Sequence, residues 1–249
     1  FQEGLYSSVR YRMIADVPFG TFLSGGIDSS LITAVASDLS DQKLKTFSIG
    51  FSEAKYDESL YAAKVAGHLG TDHTSAILSE KDAMPLLIEM MGTFDEPFAD
   101  TSAIPTMLVS RLARETVTVI LTGDGGDELF MGYGAYDWAK RLSSGMARPI
   151  AAPMNKLLAL GDSRYKRIGR LFEKGGFNSI RDHIFSQEQY FFSNTELTSL
   201  LKDARQTEHY SYSDPVDLAR NLTAAEQQAL FDLKVYLKDD LLTKVDRSS

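Results

Sequence analysis

The sequence contains no cysteine, which excludes disulfides, Cys-ligated zinc and any thiol nucleophile, and is compatible with a cytoplasmic location. Histidine is sparse: His68, His73, His183 and His209 stand apart, without the short spacings that metal sites use. No apolar run approaches the roughly 18–20 residues that cross a bilayer, and no secretory signal opens the chain, so no membrane partner is expected. Positive charge is in deficit as well. Against 34 acidic residues stand 26 Lys and Arg, a net charge of −8. Without a broad basic surface, no nucleic-acid partner is expected. That balance leaves phosphate ligands open, because a phosphate site depends on local groups. The remainder is ordinary for a globular chain of 249 residues: 43% hydrophobic, 24% charged, mean hydropathy −0.17. The chain opens on Phe1 and stops at Ser249 in mid-pattern, as a piece of something longer would.

The first half alternates strand-like and helix-like segments. Residues 17–24 read as a strand ending in a Gly pair, and 28–39 as a helix with Leu31, Ile32, Val35 and Leu39 on one side. Strand patterns recur at 46–51, 71–78 and 117–122, and helix patterns at 58–69, 80–91 and 104–116. Strands separated by helical stretches of this length predict an α/β fold, a parallel sheet with flanking helices. Ligands then belong at the carboxyl ends of the strands. After about Ala135 the strand signal stops. Thr223, Ala224, Ala225 and Glu226 fit a capping box, and Leu230, Leu233, Leu237 and Leu241 follow at helical spacing. The organisation expected is an α/β core over 1–134 and a mostly helical C-terminal annex over 135–249. A basic run at Arg164, Lys166, Arg167, Arg170 and Lys174 reads as a solvated face. Trp138, Tyr133 and Tyr136 read as core.

Two loops carry the chemistry. Ser24, Gly25, Gly26, Ile27, Asp28, Ser29 and Ser30 follow a strand and open a helix. Paired glycines let backbone approach a ligand closely, and the N–H groups of such a turn form a concave anion site at the helix start. The ending Gly-Lys-Ser/Thr of a Walker A loop is missing. Asp28 inside a phosphate-binding loop is repulsive unless a divalent cation lies between the charges, which predicts Mg²⁺. The second loop runs Leu121, Thr122, Gly123, Asp124, Gly125, Gly126, Asp127, Glu128, Leu129, Phe130. Parallel strands can bring Asp28 and Asp127 to one sheet edge, where both would bind that metal.

The first loop resembles the pyrophosphate-binding (PP-loop) segment of the ATP-pyrophosphatase group, which implies an adenine-nucleotide α-hydrolase-like fold and cleavage of ATP between its α and β phosphates. The second resembles the signature of asparagine synthetases and continues as Met131, Gly132, Tyr133. Further matches follow in order: Ala15 to Pro18, Phe47 to Phe51, Tyr56 to Glu58, Asp95 to Asp100 with Ser102 to Thr106, and Tyr236 to Leu242 running into Lys244 to Ser249. The chain is identified as resembling the synthetase half of glutamine-hydrolysing asparagine synthetase.

The resemblance implies that Ser24, Gly25, Gly26, Asp28, Ser29 and Ser30 hold the β- and γ-phosphates of ATP and their Mg²⁺, with Asp127 as second metal ligand. Phe22, Leu23 and Ile49 would line the adenine pocket with their backbones, and Thr122 and Gly123 would meet the ribose and α-phosphate. Asp124 matches an acid tied to acyl-adenylate formation and to proton handling; many relatives carry Glu there. Arg247 would reach the pyrophosphate, or else be a surface arginine. Asp95, Glu96 and Asp100 are either site acids or caps of the following helix. The implied partners are a small carboxylate, with aspartate the leading one, and ammonia from an upstream glutaminase domain. A sugar acid, a peptide or an internal ring closure would use the same chemistry, and a nucleotide-binding module without turnover is a third reading. The resemblance is also compatible with a homodimer.

Overall fold

The computed structural model describes residues 1–143 and 220–249, with the single positions Leu158, Lys166, Ile168, Gly169, Leu171, Ile184 and Leu200 between them. Apart from Lys166, the basic run lies outside the described residues. The chain divides into two compact units, Phe1–Asp124 with Asp239–Ser249, and Gly125–Lys238.

In the first unit, β1 (Phe19–Phe22), β2 (Lys45–Phe51), β3 (Asp72–Leu78) and β4 (Val119–Leu121) form one parallel sheet in the order β3-β2-β1-β4. Its helices are α1 (Gln2–Arg12), α2 (Ile27–Leu39), α3 (Ser59–Leu69), α4 (Glu80–Thr93) and α5 (Ala103–Arg114). The two-residue period of a strand sends neighbours to opposite faces. Phe19 accordingly packs with Val9 of α1 and Val35 of α2, while Phe22 meets Phe47 of β2 and Val109 of α5. The parallel sheet with flanking helices is therefore the observed fold. One buried polar chain fastens α2 to the sheet. Thr33 Oγ1 donates to the Ser29 carbonyl at 2.7 Å, so its lone pairs accept the Thr21 hydroxyl at 2.9 Å.

The order of the strands positions the site. The chain steps from β1 out to β2 and β3, then returns to the far side of β1 with β4. The carboxyl ends of β1 and β4, which pair as Thr21 with Leu121, form the switch point where parallel α/β sheets hold ligands.

Both site strands are shorter than the sequence suggests. The 17–24 segment ends its ladder at Phe22, because Gly25 turns the chain away at φ +86°. The 117–122 segment loses Val117 to the last turn of α5, whose Ala113 carbonyl takes the Val117 N–H at 2.9 Å. The leucine run 230–241 is not one helix either. It breaks at Val235 and re-forms as a π-turn at Leu237–Leu241, followed by a further helix, Leu242–Ser248. A π-turn inserts a residue into the helical period and so rotates the face that follows. Lys244 and Ser248 are buried as a result, and Leu242 is exposed.

Within the second unit lie α6 (Gly126–Phe130), α7 (Gly134–Ser143) and α8 (Ala224–Lys234), which leaves α9 for the helix Leu242–Ser248 of the first unit. The capping box at the start of α8 forms as expected, with Thr223 N–H donating to Glu226 Oε2 at 2.8 Å and Glu226 N–H to Thr223 Oγ1 at 3.4 Å. Small residues four apart, Ala225 and Ala229 on α8, pack against Tyr136 of α7, which is buried. Tyr136 is core, as its sequence context predicts, while Tyr133 and Trp138 are partly buried around the same clusters.

Candidate active site

The loop after β1 is organised by its own hydroxyls. Ser24 Oγ lies 2.8 Å from Ser29 Oγ and accepts the Gly26 N–H at 3.2 Å, while the Ser24 N–H donates to Ser29 Oγ at 3.3 Å. Gly25 has no alternative: besides its positive φ, a Cβ there would come within 2.6 Å of Tyr61 and 2.7 Å of the Ala62 nitrogen. The 13-residue helix α2 begins directly behind this turn. Its first N–H groups have no intrahelical acceptor and carry the positive end of the helix dipole. Ser30 Oγ is buried without a protein hydrogen-bond partner.

The loop after β4 closes on this one. A Cβ at Gly123 would lie 2.8 Å from the Ser29 nitrogen and 3.0 Å from the Asp28 carbonyl carbon. Only a residue without a side chain lets the loop after β4 approach the start of α2, so Asp28, Ser29 and Gly123 share one cradle, with Ser30 the next residue of the helix. Asp28 sits partly exposed in the first turn of α2, and Asp124 follows Gly123 as an exposed residue.

The remaining candidates are placed by the packing of the sheet and its helices. Leu23 is buried against Ala62 and Ala66, and its N–H donates to the Phe47 carbonyl at 2.8 Å. Phe22 and Ile49 pack together against Phe47. Phe22, Thr122 and Arg247 line one cleft of about 740 Å³, floored by Ile120 and walled by Met107, Ser110 and Arg111 of α5. Arg247 therefore reaches the cleft, half exposed, with its guanidinium 2.7 Å from Asp95. A second cavity, of about 630 Å³, opens at the amino ends of β1 and β2, beside Phe19 and Lys45. It lies at the wrong end of the sheet for this chemistry.

Of the alternatives left open for Asp95, Glu96 and Asp100, Asp100 is an anchor. Its Oδ1 accepts the Ser102 N–H at 2.8 Å and the Ser102 hydroxyl at 2.7 Å just before α5, and its Oδ2 lies 3.0 Å from Lys244 Nζ. Burial pushes the Asp100 carboxyl up, but Ser102 and the Lys244 ammonium outweigh it and hold it below its ordinary value. Asp95 pairs with Arg247, and Glu96 is exposed.

Lys244 falls within the family-like stretch of the sequence without an assigned role, although Asp240 stands four residues before it. Its Nζ also donates to Ser102 Oγ at 2.8 Å. Burial and the neighbouring Asp100 push Asp240 up to about 6, with Lys244 opposing.

In the second unit, Asp127 and Glu128 occupy the first turn of the five-residue helix α6. Glu128 is buried, and its Oε1 accepts the Tyr133 hydroxyl at 2.8 Å. Burial, then Glu128, drive the Tyr133 hydroxyl far above its ordinary value. On α8, Gln228 Nε2 donates to Asp232 Oδ1 at 2.9 Å. Burial is the main cause that pushes Asp232 up to about 7. The sequence signal for this pair was a polar i, i+4 couple on the helix face that also carries Ala225 and Ala229.

The oxygen donors at hand suit Mg²⁺, which binds through one or two carboxylates and keeps substrate phosphates and water as its other ligands. Among the described residues no three His, Asp or Glu gather into a metal cluster. The orphaned Ser30 hydroxyl and the Gly123 cradle fit an anionic ligand at the start of α2.

A family model described as asparagine synthase matches residues 1–249. Among curated relatives, the chain is 36% identical over 257 residues to a putative glutamine-hydrolyzing asparagine synthetase 2 of Methanocaldococcus jannaschii, covering 98% of this chain and 47% of that protein. It is 32% identical over 265 residues to glutamine-hydrolyzing asparagine synthetase 1 of Bacillus subtilis, covering 99% of this chain and 39% of that protein. The chain thus spans less than half the length of these relatives. Among solved structures, an NH3-dependent NAD synthetase from Campylobacter jejuni aligns at 14% identity and a TM-score of 0.39, over 74% of this chain and 93% of that one.

Proposed function

The chain belongs to the asparagine synthase family, and from that premise we propose that it is the ATP-dependent half of an enzyme that amidates aspartate to asparagine. A carboxylate resists direct attack by ammonia because its leaving group would be oxide. One oxygen of the side-chain carboxylate attacks the α-phosphorus of ATP, and pyrophosphate departs with the bonding pair. The ammonia nitrogen then attacks the acyl carbon of the resulting β-aspartyl-AMP, AMP leaves, and the surplus proton passes to a nearby base.

The observation that carries this reading is the cradle of Asp28, Ser29 and Gly123 at the switch point, with the unpartnered buried hydroxyl of Ser30 on the next residue of α2. Its N–H groups and hydroxyls bind and orient the β- and γ-phosphates and offset the charge of the departing pyrophosphate. The cleft lined by Phe22 and Thr122 takes the nucleoside, and Arg247, which lines the same cleft, reaches the pyrophosphate. Asp124 accepts the proton when ammonia attacks. Asp28 and Asp127 would hold Mg²⁺, which neutralises phosphate charge when bound. Ammonia comes from glutamine, hydrolysed by a domain upstream of this chain, and the reaction runs in the cytoplasm.

The test supplies the purified protein with ATP, Mg²⁺, ammonia and, in separate reactions, aspartate, a sugar acid or a peptide acid. AMP and pyrophosphate with aspartate alone are expected. Release of ADP and orthophosphate would overturn the α-phosphoryl route, and turnover with a different acid would overturn the assignment to aspartate.

A further inference from the structure

Gly132 has an unusual neighbourhood within the second unit. Its own φ is not positive, so no backbone strain requires glycine there. A Cβ at this position would instead overlap Asp127 Oδ1 outright, and would lie 2.9 Å from Asp127 Cγ and 3.3 Å from its Cα. The Asp127 carboxylate is thus folded over the face of Gly132, and the Gly132 N–H closes the loop by donating to the Asp127 carbonyl at 3.0 Å.

The next residue anchors the helix on which this carboxylate rides. Glu128 is 1% exposed, and its Oε1 is held by the Tyr133 hydroxyl at 2.8 Å. Tyr133 is fixed in turn, edge-on to Tyr236 at 6.0 Å and tilted against Tyr136 at 5.9 Å. A five-residue helix has too few hydrogen bonds to hold itself in place. Its orientation is set by this buried bond and by the turn at Met131, a left-handed residue with φ 59°.

We infer that Gly132 and the Glu128–Tyr133 bond are positioning elements that seat the Asp127 carboxylate for its metal. Gly132 leaves room for the carboxylate, and Glu128, despite standing in an acidic loop, faces inward as the tether. The inference rests on the proposed role of Asp127 and adds to it the residues that fix its geometry.

The severe overlap at Gly132 is with the Asp127 carboxylate, while the Asp127 Cα at 3.3 Å has to give by only a few tenths of an ångström, so an added methyl displaces mainly the carboxylate. Gly132→Ala is compared with Gly134→Ala, where a Cβ meets nothing within 4 Å, and with Asp127→Asn. The readout is Mn²⁺ binding in the presence of a non-hydrolysable ATP analogue, followed by water-proton relaxation, together with thermal melting.

Gly132→Ala is expected to weaken Mn²⁺ binding by about tenfold or more, as loss of an outer-shell support does, with the melting temperature held; Gly134→Ala should bind normally. Tyr133→Phe should weaken binding in the same direction. If Asp127→Asn weakens binding but Gly132→Ala and Tyr133→Phe do not, the seat is wrong and the metal role stands. If Asp127→Asn leaves binding unchanged, Asp127 is no ligand and both readings fall.

Discussion

The turn at Gly25 and Gly26 opens a 13-residue helix with Asp28 in its first turn, whereas the turn at Gly125 and Gly126 opens a helix of five residues that carries Asp127 and Glu128. Written as sequence, the two are close relatives: a strand, a glycine pair, then an acid. In the first, the protein leaves groups unspent. The helix start has N–H groups to offer, and the Ser30 hydroxyl has no protein partner. In the second, the protein turns one acid inward, binds it to Tyr133, and leaves its neighbour over a glycine. A long helix behind the turn supplies a dipole for an anion; a short one supplies a platform for a carboxylate, and needs a buried tether to stay put.

The comparison breaks most severely at the contact that builds the first loop. Gly123→Ala puts a methyl against backbone atoms of Asp28 and Ser29 that cannot step aside. It should destabilise the fold by about 2–3 kcal/mol and, through misplacement of the cradle, lower pyrophosphate release by about 100-fold. Thermal melting and a coupled pyrophosphate assay read the two effects.

A smaller effect separates the loops by pH. Asp232, buried behind the second loop, has its folded pKa raised to about 7. The folded state therefore holds a proton that the unfolded chain has released. Stability is highest below about pH 4 as far as this group is concerned, and falls as pH rises toward 7. Asp232→Asn should flatten that decline, gaining on the order of 2 kcal/mol relative to the parent at pH 8 and nothing at pH 4. Chemical denaturation across this range measures it; parallel curves for the two proteins would show that Asp232 ionises freely.

Ser30→Ala sharpens the contrast further. Because its hydroxyl has no protein partner, its loss should leave stability within about 0.5 kcal/mol, while the KM for ATP rises about tenfold if the group meets phosphate. The smallest effect belongs to Arg247→Ala. Its ion pair with Asp95 is largely exposed, so the stability change should stay below about 1 kcal/mol, and any rise in the KM for ATP reports the cleft role alone.

Much of this molecule was legible as sequence because its signals are local. The alternation of strand and helix periods, the glycine turns after β1 and β4, and the Thr223–Glu226 capping box each depend on residues a few positions apart. What could not be read depends on partners far along the chain. Lys244 meets Asp100 and Ser102 across more than 140 positions, and no spacing rule announces that contact. The break at Val235 escaped the leucine period because a π-turn preserves apolar composition while rotating the face. Gly132 enters the sequence reading only as part of the family-like signature, and the position of the Asp127 carboxylate shows what its missing side chain accommodates.

The central claim is that a carboxylate oxygen attacks the α-phosphorus of ATP held in the cradle at α2. Aspartate labelled with ¹⁸O in its side-chain carboxylate, incubated with the protein, Mg·ATP and ammonia, tests it directly by mass spectrometry of the nucleotide products. The account predicts one ¹⁸O in AMP and none in pyrophosphate. Label in orthophosphate, with ADP as the nucleotide product, would contradict it.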